Sequence, residues 1–204
     1  MVRPRARRRA RKFGLFIVAF LAMATIAVAS MVRFTGRQDG KPRPAAQPET
    51  PVADVGPGGL VLPVAGVRAS QIADTWGQSR ANGARAHQGT DIMAAGGTPV
   101  LATAAGTVEK LFDSGAGGHT IYVRSNDGRW TYYYAHLAAY AADIREGLRV
   151  RAGQPIAFVG DTGNAGPGNY HLHFGIARMA PGDRWYQGTP VNPYPLLVGG
   201  GARR

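Results

Sequence analysis

Four of the chain's five histidines lie in three short stretches, His87-Gln88-Gly89-Thr90-Asp91, Tyr134-Ala135-His136-Leu137 and His171-Leu172-His173-Phe174. A histidine four residues before an aspartate, together with a His-x-His pair, is the spacing that converging metal ligands require. Side chains two or four residues apart on an extended strand point to one face, so His171 and His173 face the same way. Gly89 and its surroundings argue against the helical His-Glu-x-x-His zinc motif, which needs a helical turn to align its ligands. His87, Asp91 and one of the two later histidines make three protein ligands. Three ligands with a position left for water is the open, catalytic arrangement of zinc, and the absence of cysteine leaves no thiolate to close it.

The same three motifs resemble, in order, those of the lysostaphin-type zinc metallopeptidases, family twenty-three of the metallopeptidases, whose members cut peptide cross-links of bacterial peptidoglycan. The resemblance runs from about Val64 to Leu197 and takes in Gly96-Gly97-Thr98-Pro99-Val100, Val159-Gly160-Asp161-Thr162-Gly163 and Val191-Asn192-Pro193. It implies that His87, Asp91 and His173 hold one zinc ion and that His136 and His171 are unligated catalytic histidines. Zinc so held would bring the pKa of its water from 15.7 toward about 7. His171 is then expected to be the general base, and His136 to orient the water or stabilise the oxyanion. The alternative is a non-catalytic relative that binds and activates another cell-wall hydrolase; such relatives usually lose metal ligands, and here all five positions are intact. His119 matches none of these positions and is expected to be a surface or turn histidine. The run Trp130 to Tyr134 is expected to pack in the core, with lining of a groove wall as its other use.

The elements that must position these residues read as short strands: Val100 to Phe112, Thr120 to Arg124, Trp130 to His136, Pro155 to Val159 and His171 to Met179. Turn signals at Asp113-Ser114-Gly115, Asn126-Asp127-Gly128 and Gly163 to Gly168 separate them, as in an antiparallel all-β domain. Alanine-rich Leu137 to Glu146 is expected to be a short helix or turn. The resemblance implies a mainly β, antiparallel domain with a groove over the metal, of which Gly163 to Tyr170 would form a wall. Tyr170 stands where relatives often have proline, a departure at the neighbouring subsite.

Five segments are expected: a basic cytoplasmic tail (1–12), a transmembrane signal-anchor or signal peptide (13–32), a flexible linker (33–63), the metallopeptidase domain (64–197) and a C-terminal tail (198–204). Of twenty-four basic residues, seven fall in the first twelve positions with no acid. Between Val64 and Leu197 eleven basic residues meet nine acidic ones, so the domain carries only about +2 of the net +12, seven of which sit in the tail, and this is no nucleic-acid footprint. Phe13 to Val32 carries no charge and as a helix would span ~30 Å, about one bilayer core. More positive charge precedes it than follows it, which predicts a cytoplasmic N-terminus and an extracytoplasmic domain, on the periplasmic or wall side of the inner membrane. Ala27-Val28-Ala29 before Ser30 fits a cleavage site, the alternative to an uncleaved anchor. Pro42, Pro44, Pro48, Pro51 and Pro57 mark the linker, which as a flexible coil would reach ~30 Å, toward the wall. The expected partners are peptidoglycan stem peptides or cross-links and the membrane, with no nucleic acid and a regulatory protein left open.

Overall fold

Alternation of buried and half-buried side chains, dense in β-branched and aromatic residues, makes strands of about half of the described chain from Pro99 on. A computed structural model describes residues 59–80 and 83–199. The basic tail, the apolar run 13–32, nearly all of the linker and most of the C-terminal tail lie outside the described residues. Among the described residues the strands are β1 (Ser79–Arg80), β2 (Arg85–Ala86), β3 (Thr90–Met93), β4 (Pro99–Leu101), β5 (Gly106–Ser114), β6 (Gly118–Ser125), β7 (Trp130–Tyr140), β8 (Arg149–Val150), β9 (Pro155–Val159), β10 (His171–Arg178) and β11 (Thr189–Val191), followed by the short helix α1 (Tyr194–Val198).

β1 and β2 pair as a separate two-residue ladder, and the other nine strands form one antiparallel sheet. Its main path runs β11-β10-β7-β6-β5-β8; β3 joins β10, and β9 joins both β7 and β4. The β6–β7 hairpin shows why local sequence suffices for such turns. Gly128 takes φ +72°, a conformation open to glycine, while the Asp127 carboxylate accepts from Ser125 Oγ at 2.6 Å and from the Arg129 amide at 3.1 Å.

The core holds Ile92, Val100, Val108, Ile121, Tyr134, Leu137, Ile156, Leu172, Phe174 and Leu197, each no more than 1% exposed. Full burial of a side chain of this size contributes roughly 1.5–3 kcal/mol, so these residues hold the sheet against its conformational entropy. Tyr134 keeps its polar end satisfied, since its hydroxyl oxygen accepts the Thr103 amide at 2.9 Å.

Three expectations differ in detail. Val100 to Phe112 is two strands, β4 and β5, broken at residues 102–105 and paired with different partners, β9 for one and β6 for the other. Leu137 to Tyr140 is the end of β7, not a helix; Leu137 pairs with Val159 and Tyr140 with Ala157, and this ladder outweighs the helix propensity of Ala138 and Ala139. Packing also begins before Val64: Leu62 is 1% exposed, and the Val61 amide donates to the Thr103 carbonyl at 2.9 Å.

Candidate active site

β10 is the strand on which the site is built. Its register sets His173 opposite Asp91 of β3 on one side and opposite Ala135 of β7 on the other. Directly opposed residues in an antiparallel pair project to one face, so two candidate ligands meet there by strand pairing alone. His87 arrives differently. It lies outside any strand, between β2 and β3, and reaches Asp91 because the chain bends at Gly89. A Cβ on Gly89 would stand 2.6 Å from His173 Cε1 and 2.8 Å from the Phe174 carbonyl oxygen, so only glycine lets this segment lie against β10.

His87 Nε2, His173 Nδ1 and Asp91 Oδ1 form a triangle with edges of 2.9, 3.1 and 3.1 Å. Four-coordinate zinc with bonds of about 2.0–2.1 Å sets its ligand atoms roughly 3.3 Å apart, so the triangle matches within a few tenths of an ångström. The donor chemistry agrees. His87 Nδ1 lies 2.7 Å from the Thr75 carbonyl, which can only accept; Nδ1 therefore carries the proton and Nε2 turns a lone pair into the triangle. Burial alone would push the Asp91 carboxyl up, but His173 and then His87 against it override this and hold it far below the usual carboxylate range. Two imidazole nitrogens and an ionised carboxylate turned inward on one another are a set that a divalent cation fits.

Outer contacts hold these ligands. Thr75 serves two at once: its carbonyl accepts from His87, and its hydroxyl oxygen accepts the Asp91 amide at 2.9 Å. Arg80 Nη2 donates to Asp91 Oδ2 at 2.5 Å, which leaves Oδ1 for the triangle. Neither residue was among the sequence candidates. Thr75 is sixteen residues from Asp91 and Arg80 is eleven, and no short spacing connects them to it.

His136 and His171 face the same cavity, of about 390 Å³, with ring centroids 4.8 Å apart. Each is anchored through Nδ1 to a backbone carbonyl at 2.8 Å, His136 to Thr162 and His171 to Asn169. Nδ1 is therefore the protonated nitrogen and Nε2 the free acceptor of each ring; His171 Nε2 lies 3.9 Å from Asp91 Oδ1. Burial pushes the His136 imidazole down to about 4, so it stays neutral near pH 7. His136 has φ +62°, the only non-glycine residue with positive φ among the described residues, and it sits where β7 shifts register against β6. Such a conformation costs on the order of 1–3 kcal/mol and persists only where neighbours over-determine it. Thr162 does much of this, accepting the His136 ring N–H on its carbonyl and donating its hydroxyl to the Leu137 carbonyl at 2.8 Å.

All five sequence candidates thus line one cavity. His119 is elsewhere, on β6 and against Asp113 at 2.5 Å. In the aromatic run, Tyr132 and Tyr134 are buried while Tyr133 lines the groove, so both expected uses occur, alternating along one strand. Asn164, Ala165 and Asn169 make the loop after β9 a wall of the cavity.

A three-point His-Asp-His cluster on an antiparallel sheet, with two anchored histidines beside it, is the arrangement of a β-sheet metallopeptidase. Residues 85–193 match peptidase family M23, and the chain belongs to that family. It is 37% identical over 129 residues to the L-Ala–D-Glu endopeptidase of Bacillus subtilis, and 39% identical over 134 residues to the DD-carboxypeptidase/endopeptidase Mpg of Neisseria meningitidis. The matches take in 60% and 65% of this chain but 38% and 26% of those proteins, so it spans well under half of either relative. The catalytic domain of lysostaphin from Staphylococcus simulans superposes with a TM-score of 0.53 at 30% identity, covering 62% of this chain and 90% of that one.

Proposed function

We propose that this protein is a zinc-dependent endopeptidase that hydrolyses peptide cross-links of bacterial peptidoglycan. The observation that carries the reading is the triangle of His87 Nε2, Asp91 Oδ1 and His173 Nδ1, with the free nitrogens of two further histidines on the same cavity. Family membership and similarity to a peptidoglycan DD-endopeptidase of Vibrio cholerae, 37% identical over 91 residues, support the substrate class.

His87, Asp91 and His173 would hold the ion, and zinc there would supply Lewis acidity, lowering the pKa of a water molecule so that hydroxide is available at neutral pH and polarising the scissile carbonyl. His171, with Nδ1–H spent on the Asn169 carbonyl, accepts the attacking water's proton at Nε2 and passes it to the leaving amine. His136, neutral and with its proton committed to the Thr162 carbonyl, offers an acceptor at Nε2. An acceptor orients a water molecule and cannot donate to an oxyanion, so of its two expected roles the first is the one assigned. The apolar run Phe13 to Val32 would keep this domain tethered outside the cytoplasmic membrane, with the proline-rich linker giving it reach toward the wall.

The test is a pair of purified variants assayed for zinc content and for peptides released from peptidoglycan. His173→Ala should lose the metal. His171→Ala should keep it and lose about 10²–10⁴-fold in rate. If His171→Ala digested peptidoglycan at the wild-type rate, the assignment of the base would be wrong; if the wild type held no zinc and released nothing, the whole reading would fall.

A further inference from the structure

The β1–β2 ladder sets Arg80 opposite Arg85, and both residues border the metal-side cavity. Their situations differ. Arg80 is engaged by Asp91, whereas Arg85 is exposed and forms no ion pair among the described residues. Among the described residues Asp91 is the one carboxylate on this cavity and is engaged by Arg80, so Arg85 brings the groove a positive charge without an acidic partner there.

Arg85 also borders a second cavity of about 360 Å³, which shares His87, Tyr133 and His173 with the first and so adjoins it. Its walls are aromatic: Tyr122 stacks against Tyr133 and Trp185 with ring centroids 4.6 and 4.8 Å apart, and Trp185 meets Tyr186 at 5.1 Å. Among the described residues no acidic side chain lines it.

We propose that Arg85 is a specificity residue, which receives a free carboxylate on the substrate residue next to the scissile bond while that residue's aliphatic part lies against the aromatic wall. The proposal rests on the endopeptidase reading above and adds a substrate class to it. A peptide whose carbonyl lies at the His87–Asp91–His173 cluster, and whose chain runs toward the second cavity, sets its neighbouring residue against the wall where the two cavities adjoin. The charge waiting there is a planar fork suited to a carboxylate. An acidic stem-peptide residue supplies that group; a glycine bridge does not.

The experiment uses the purified full-length, zinc-loaded chain and two synthetic stem peptides that differ only in carrying a carboxylate or its carboxamide beside the scissile bond. The wild type should prefer the acid by roughly 10- to 100-fold in kcat/KM, the range expected of a hydrogen bond to a charged group. In Arg85→Gln the acid-to-amide ratio should fall to about one through KM, and Arg85→Lys should keep part of it. Zinc content is measured for each variant. A wild type indifferent to the carboxylate, a preference that survives Arg85→Gln, or a loss of zinc in that variant would each overturn the proposal and leave the endopeptidase reading standing. No cleavage of either peptide by the wild type would overturn both.

Discussion

Arg80 Nη2 donates to Asp91 Oδ2 at 2.5 Å, from a hairpin that contributes no metal ligand, and so fixes which carboxylate oxygen faces His87 and His173. Two effects on zinc oppose each other here. The guanidinium charge repels a dication, and the hydrogen bond holds the carboxylate in place. Outer partners of metal ligands typically change affinity 10- to 100-fold, and partial exposure of Arg80 screens its charge, so positioning should win. Arg80→Gln should weaken zinc binding about tenfold in a competition titration with a chelator. Tighter binding would mean that charge repulsion dominates.

Gly89→Ala should damage the same centre through sterics alone. The added methyl would meet His173 Cε1 at 2.6 Å, and the ring can yield only by leaving the triangle. A loss of about 1–3 kcal/mol in unfolding free energy is expected, as for overpacking elsewhere, together with weaker zinc binding. Normal stability and normal affinity in this variant would show that β3 can shift to make room.

The histidines also predict how stability depends on pH in the zinc-free protein. Burial depresses His136 to about 4 and lowers His173 as well, so between about pH 6.5 and 4 the unfolded chain binds protons that the folded one refuses. Their contribution is complete above pH 6.5 and is lost as pH falls toward 4. Urea midpoints across this range should drop, and His136→Gln should flatten the drop. An unchanged slope in the variant would place the titrating group elsewhere.

Tyr134→Phe removes the hydroxyl that accepts the Thr103 amide at 2.9 Å in the fully buried core. The orphaned amide should cost about 1–3 kcal/mol, read by thermal or urea unfolding, with zinc content unchanged. A variant as stable as the wild type would mean that the amide finds another partner.

The two-residue period of a strand made His171 and His173 readable as neighbours on one face, and β10 places them so. Leu137 to Tyr140 was not readable in this way, because alanines favour a helix locally and only pairing with β9 makes them a strand. The bulge that turns His136 toward the cavity is likewise invisible in its own neighbours. It depends on Thr162, twenty-six residues later in the chain.

Residue identity and short spacing pointed to His87, Asp91 and one of His171 and His173 as candidate ligands and to the antiparallel β class, because a metal's donors must be particular chemical groups and strand geometry repeats every two residues; the choice of His173 and the pairing of His136 with His171 came from the family resemblance. Tertiary structure decided which groups surround that set. Arg80 on Asp91, Thr75 under two ligands, Arg85 between two cavities and Tyr133 facing out between buried neighbours all follow from contacts between segments far apart in sequence. Such contacts are set by packing the whole sheet, and no local period carries them.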